Sequence, residues 1–224
     1  MNRNAPYSYS TSTKSDVSDE LINTYLLRPI AGLIVRFLYY TPVTPNQVTV
    51  AATLVGFVSA WCYACGTAEW TIAGGLLLTC KDTLDAADGQ LARAKQMYSR
   101  RGRFLDSIGD ILVNAAVFAA IGWSLSAAGL GHWVIPASVL GFLGISLRVS
   151  YHVFYQTSFL HLQQQYSLNR TSEELRPEDH DDPAAVRLQM VFQLLYGWQD
   201  RLMKHIDAWS RRGKAVSDGE WYSD

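Results

Sequence analysis

Apolar residues are gathered between about residues 45 and 160 in runs long enough to cross a bilayer, and both flanks are polar. A membrane span needs roughly 20 predominantly apolar residues. Val48–Ala64 with its flanks is the first such run. A second starts at Glu69 and Trp70; its apolar half, Thr71–Cys80, is followed by a charged continuation, Lys81–Arg93. The third extends from about Phe104 to Ala127 and the fourth from about Trp133 to Tyr155. The chain therefore reads as all-α, a polytopic membrane helix bundle with four clear transmembrane helices plus N-terminal and C-terminal amphipathic helices.

Trp61, Trp70, Trp123 and Trp133 fall near one set of helix ends, as an interfacial aromatic belt does. The connections at that end carry no Lys or Arg, whereas the connection between the second and third runs carries Lys95, Arg100, Arg101 and Arg103, and Arg28 and Arg36 precede the first run. By the positive-inside bias, both termini and the 94–103 loop face the cytoplasm. Residues 1–17 read as a disordered N-terminus, with no apolar core of a signal peptide in 1–15.

Residues 18–44 form an amphipathic juxtamembrane segment. Leu21, Ile22, Tyr25, Leu26, Ile30, Leu33, Ile34 and Phe37 make an apolar stripe, Ser18 or Asp19 is its cap, and Pro29 bends it. Such a helix suits the membrane surface; packing on the bundle is the alternative. Residues 45–158 are the transmembrane bundle, and 159–183 a polar acidic loop with Glu173, Glu174, Glu178, Asp179, Asp181 and Asp182. The Asn169-Arg170-Thr171 sequon there has no role on a cytoplasmic face. In 184–224, a cytoplasmic helix and tail, Arg187, Asp200, Arg201, Lys204 and Asp207 make the helix amphipathic rather than spanning.

A formal net charge of −1 gives no electrostatic footprint for nucleic acid. Three cysteines, Cys62, Cys65 and Cys80, make neither a disulfide framework nor a four-thiolate zinc site, and the lone C-x-x-C reads as membrane-buried thiols.

The chemistry lies where the second run turns charged. Asp85-Ala86-Ala87-Asp88-Gly89-Gln90-Leu91-Ala92-Arg93 is followed, eight residues later, by Gly102-Arg103-Phe104-Leu105-Asp106-Ser107-Ile108-Gly109-Asp110. Residues 85, 88, 89, 92 and 93 share one helix face, and 102, 106 and 110 share a face of the next. A short turn makes these helices antiparallel neighbours, so four carboxylates converge near the membrane boundary. Four like charges in a low-dielectric pocket repel; two divalent cations balance them, and oxygen-only ligation points to Mg²⁺, Mn²⁺ or Ca²⁺. Small residues at 86, 87, 89 and 92 let a bulky ligand or a helix approach, and Arg93 is placed to hold a phosphate. The alternative is a solvated patch in which the acids pair with Arg93, Lys95, Arg100, Arg101 and Arg103. Asp82, one turn before Asp85, is either a supporting carboxylate or a partner of Lys81 or another lysine. Arg148, in the fourth run, either binds an anionic acceptor or snorkels to the interface.

The pattern D-x2-D-G-x2-A-R-x8-G-x3-D-x3-D, met at all eight fixed positions, resembles the signature of the CDP-alcohol phosphotransferase family. Thr44-Pro45-Asn46-Gln47-Val48-Thr49 is similar to that family's approach to its first span. The resemblance implies two Mg²⁺ or Mn²⁺ ions, with Asp85 and Asp106 touching both, Asp88 one and Asp110 the other. It implies that Gly89 and Arg93, and more weakly Ser99, Asn46 and Thr49, bind the CDP-alcohol, that Asp110 is the general base, and that the protein is a homodimer in a lipid bilayer. The implied activity is metal-dependent transfer of a substituted phosphate from a CDP-alcohol, CDP-diacylglycerol first among them, to a hydroxyl acceptor.

Family members generally have six spans, the last two helping to form the acceptor pocket. The final helix here looks like the connector before a fifth, so the chain is either truncated or works with four. Three alternatives stay open at this point: a relative that binds CDP-alcohol and metal without turnover, an intramembrane prenyltransferase-like enzyme, and a non-enzymatic cation-binding membrane protein.

Overall fold

A computed structural model describes residues 23–162 and 182–210. After a π-helical turn at Asn23–Leu27 come α1 (Arg28–Leu38), α2 (Pro45–Cys65), α3 (Ala68–Ala94), α4 (Arg100–Ala127), α5 (Val134–Leu162) and α6 (Pro183–Ser210). No strand occurs among the described residues. The chain divides into two compact units, Met1–Gly141 and Phe142–Asp224, with the boundary inside α5. Ser18, Asp19, Leu21 and Ile22, the sequon and residues 163–181 of the acidic loop lie outside the described residues, while 159–162 of that expected loop continue the helix α5.

Among the described residues, three helices, rather than the four expected, are both long and apolar enough to cross a membrane: α2, α4 and Val134–Thr157 of α5. The second expected span, α3, has 27 residues and so reaches about 40 Å. Its second half fails the apolarity requirement because Lys81, Asp82, Asp85, Asp88 and Arg93 occupy it.

Local chemistry fixes where the helices start and turn. Pro45 occupies the first turn of α2, where no backbone donor is needed, and the Thr44 N–H donates to Gln47 Oε1 at 2.9 Å. Gly66 ends α2 with φ +72°, a left-handed conformation that a side chain disfavours. At the far end of α3 the same role falls to a non-glycine residue, Gln96, at φ +53°. The Met97 N–H returns to the Ala92 carbonyl at 2.9 Å and the Gln96 N–H to that of Arg93 at 3.1 Å, closing the helix and reversing the chain. Ser99 then caps α4 by accepting the Gly102 N–H at 3.0 Å. The motif's eight-residue gap is thus one helix end, a tight reversal and one helix start.

α2 is the central helix of the first unit, packed along both α3 and α4. Small residues set its spacing. A Cβ on Gly56 would stand 2.6 Å from both Val113 methyls, and one on Gly109 would stand 2.5 Å from Thr53 Oγ1. Ser59, fully buried, donates across to the Gly74 carbonyl at 2.7 Å. Ala60, Val113 and Val117 form the α2–α4 core, with Tyr63 and Leu78 packed against it.

α1 uses both of its faces. Ala31 and Val35 are fully buried in a cluster with Val48, Ala87 and Leu91, while Leu33 and Phe37 on the opposite side are 60% and 75% exposed. Packing on the bundle and an apolar face for the membrane surface therefore coexist. Lys95, buried at the end of α3, secures the segment after α1: its Nζ donates to the carbonyls of Thr41 and Val43 at 2.8 and 2.7 Å. Hydrogen bonds from a charged donor contribute more than neutral ones. Lys95→Met is therefore expected to cost about 2–3 kcal/mol and to lower the thermal midpoint of the detergent-solubilised chain by several degrees; an unchanged midpoint would mean that water replaces the ammonium.

Trp61, Trp70, Trp123 and Trp133 are all exposed, and the Trp61 and Trp70 rings meet edge to face with centroids 5.2 Å apart. All four stand at the α2–α3 or α4–α5 end of the first unit, as a belt requires. In the second unit, α5 and α6 meet through polar groups: Ser150 Oγ donates to Gln199 Oε1 at 2.5 Å and the Tyr155 hydroxyl to Asp207 Oδ1 at 3.1 Å. The three cysteines are free thiols; Cys62 is buried, whereas Cys65 and Cys80 are exposed on the protein surface.

Candidate active site

α3 and α4 run antiparallel from the turn at residues 95–99, and Asp85 on one meets Asp106 on the other. Carboxylate oxygens of Asp85, Asp88 and Asp106 lie within 4.8 Å of one another. Asp88 is buried, and its Oδ2 accepts a hydrogen bond from the buried Thr49 hydroxyl at 2.5 Å. Asp106 Oδ1 is buried without a hydrogen-bond partner. A buried carboxylate oxygen with no donor is costly, and beside two more carboxylates it has the chemistry of a cation ligand. Hard oxygen donors of this kind suit Mg²⁺, Mn²⁺ or Ca²⁺.

The fourth motif carboxylate has a different partner. Four residues deeper than the Asp85–Asp106 level, Lys81 on α3 faces Asp110 on α4, and the Lys81 ammonium forms an ion pair with Asp110 Oδ1. The same nitrogen lies 3.7 Å from Asp85 Oδ2 and 3.6 Å from Asp82 Oδ1. Lys81 is buried, with Asp82 at the exposed edge. Sequence reasoning set Lys81 only beside Asp82 and missed Asp110. The signal was present: Lys81 precedes Asp85 by the four residues that separate Asp106 from Asp110, so an antiparallel pair carrying one match carries the other.

Other motif residues collect at the outer end of the helices. A Cβ on Gly89 would have only the Arg93 guanidinium within 4 Å, its two terminal nitrogens at 3.7 and 3.8 Å. Gly89 thus leaves a notch with a cationic wall. A Cβ on Gly102 would stand 2.7 Å from Asn46 Oδ1 and 3.1 Å from Ser99 Oγ, so this glycine leaves room for both side chains beside it. Arg148 has an exposed side chain on α5 and belongs to the second unit.

The position of Thr49 has a measurable consequence. A hydroxyl that orients a metal-binding carboxylate supports ion affinity, and losing such a partner typically costs about 10–100-fold. Thr49→Val is expected to weaken Mn²⁺ binding in that range and to leave CDP affinity nearly unchanged once Mn²⁺ is saturating. A nucleotide defect that persists at saturating Mn²⁺ would instead make Thr49 a direct substrate contact.

The sequence model of the family described as CDP-alcohol phosphatidyltransferase matches residues 42–211. Among curated proteins, the chain is 32% identical over 133 residues to a "Bifunctional IPC transferase and DIPP synthase" of Thermococcus kodakarensis, covering 59% of this chain and 29% of that one. It is 34% identical over 146 residues to the protein of the same description in Aquifex aeolicus, covering 65% and 32%. It is 33% identical over 109 residues to the "Archaetidylinositol phosphate synthase" of Pyrococcus horikoshii, covering 49% and 53%. The aligned part is thus about a third of the two bifunctional proteins and about half of the synthase.

Proposed function

The chain belongs to the CDP-alcohol phosphatidyltransferase family, and from that premise we propose that it transfers a substituted phosphate group from a CDP-alcohol to an acceptor alcohol, releasing CMP, in phospholipid or polar-lipid synthesis. The observation that carries the reading is the meeting of Asp85, Asp88 and Asp106 around one point, with a buried, unpartnered oxygen on Asp106. These residues fit a divalent cation. Asp85, Asp88 and Asp106, with Asp110 for a second ion, are the residues to hold Mg²⁺ or Mn²⁺. When bound, such ions neutralise the donor's pyrophosphate and stabilise the departing CMP.

The chain's own groups supply the rest. Gly89 lets the donor approach the α3 backbone, and Arg93 beside it offers a bidentate cation to a phosphate. Asn46 and Ser99, both beside Gly102, are further candidates for binding the CDP-alcohol. Asp110 takes the proton from the acceptor hydroxyl as that oxygen attacks the phosphorus distal to cytidine; the phosphoanhydride bond breaks and CMP carries away the electron pair. Lys81 must release Asp110 for that step. CDP-diacylglycerol is the proposed donor, because the apolar flanks of the helices admit acyl chains. Among glycerol phosphate, inositol phosphate, serine and a second phospholipid, the name of the Pyrococcus horikoshii relative favours inositol phosphate as acceptor. The Lys/Arg bias supports a cytoplasmic N-terminus and cytoplasmic carboxylates, and the family resemblance supports a homodimer.

Calorimetric titration of the purified chain with CDP-diacylglycerol, CDP and ADP tests this reading, first with Mg²⁺ or Mn²⁺ and then with chelator. Cytidine-selective binding that chelator abolishes is the expected result. Metal binding with no preference for cytidine would favour a cation-binding membrane protein and remove the enzyme reading.

A further inference from the structure

The four motif carboxylates are not equivalent. Asp85, Asp88 and Asp106 bring oxygens within 4.8 Å of one another, whereas Asp110 is engaged by a buried ammonium one helical turn deeper. Lys81 is only 7% exposed, and a lysine is almost never buried that far without anionic partners. Its partners here are Asp110, Asp85 and, at the edge, Asp82. Counting formal charges, the Lys81–Asp110 pair is neutral, and three carboxylates remain for a dication. The unpartnered oxygen, Asp106 Oδ1, belongs to those three; Asp110 Oδ1 is already occupied by the lysine.

We infer that Lys81 is a resident cation of the acid cluster, holding Asp110 where a second divalent ion would otherwise bind, so that the two ions load unequally. The inference rests on the metal-site reading above and adds to it the order of loading and the residue that sets it. The first ion enters the Asp85–Asp88–Asp106 group, which attracts it with three charges and offers an oxygen lacking any other partner. The second reaches Asp110 only by displacing the ammonium, and it meets the repulsion of a like charge in a site of low dielectric. Lys81 is therefore a positioning residue: it fixes the Asp110 side chain before the second ion and the substrates arrive, and acts only through it.

The test is an Mn²⁺ isotherm by calorimetry, with bound and free ion counted by electron paramagnetic resonance, on the full chain in detergent without nucleotide. Wild type is expected to show two classes of site, their affinities separated by about ten-fold or more. In Lys81→Met the weaker class tightens by about ten-fold, whereas Lys81→Arg, which keeps the charge, retains the split. Two equal sites in wild type overturn the inference while leaving the metal site intact, as does a Lys81→Met isotherm identical to wild type. Absence of any Mn²⁺ binding overturns the metal-site reading and this inference with it. Should Lys81→Met lose its helical circular dichroism, the wild-type split and the Lys81→Arg isotherm still decide.

Discussion

Asp110→Asn is expected to abolish transfer while leaving CDP-alcohol affinity within several-fold of wild type. An amide cannot accept the acceptor's proton, and removing a positioned base typically costs about 10²–10⁴ in rate. Affinity survives because Asp110 stands outside the group of three carboxylates. Its loss frees the Lys81 ammonium, which keeps Asp85 at 3.7 Å and Asp82 at 3.6 Å as partners, so no buried charge is stranded. The two quantities are separable by following CMP release from labelled CDP-diacylglycerol and, in parallel, equilibrium binding of the same donor. Equal losses in rate and affinity would mean that Asp110 holds the donor's metal rather than serving as base.

Asp85→Asn should behave differently, losing metal and nucleotide binding together. Asp85 belongs to the close group of carboxylates and is also the neighbour of Lys81. The substitution removes one of the three charges that attract the first ion and withdraws a counter-charge from a buried lysine. Mn²⁺ affinity is expected to fall by more than the roughly 10–100-fold associated with losing a merely supporting group. Cytidine nucleotide binding should become undetectable, since its pyrophosphate then faces uncompensated carboxylates. Retained Mn²⁺ binding in a folded variant would show that the ions sit elsewhere. The same titration on Asp106→Asn, which alters the unpartnered oxygen directly, provides the internal comparison.

The helices and the carboxylate spacing were legible in the sequence because both depend on short-range periodicity. Apolar runs set α2, α4 and most of α5, and offsets of three and four residues put Asp85 with Asp88, and Asp106 with Asp110, on single faces. α3 was legible as a helix, but its count as a span depended on whether charge or length decides. What stayed hidden depends on contacts between helices. Thr49 was read only as a substrate residue, and its hydrogen bond to Asp88, 39 residues away, had no local signal. Lys81 looked like a partner of its neighbour, and only the antiparallel level of α3 and α4 turns it towards Asp110. The polar seam of Ser150 with Gln199 and Tyr155 with Asp207 had no signature at all, since neither member of either pair belongs to a motif. Lys95, read as one of several loop cations, proved to be a tie to Thr41 and Val43 because the chain reverses immediately after it.

The tryptophan ring also acts as a ruler. Along α3, 15 residues separate Trp70 from Asp85, which at 1.5 Å per residue is about 22 Å. Along α4, 17 residues separate Trp123 from Asp106, or about 25 Å. A hydrocarbon layer is about 30 Å thick, so indoles anchored at one interface leave the carboxylates several ångströms short of the other, at the depth where lipid tails begin. A headgroup must sink, or the leaflet must dimple, for a diphosphate to arrive there. For the lipid donor proposed above, the acyl length of the surrounding lipid would set how readily it reaches the acids: short-chain bilayers bring the polar surface down to them, and long-chain bilayers bury them.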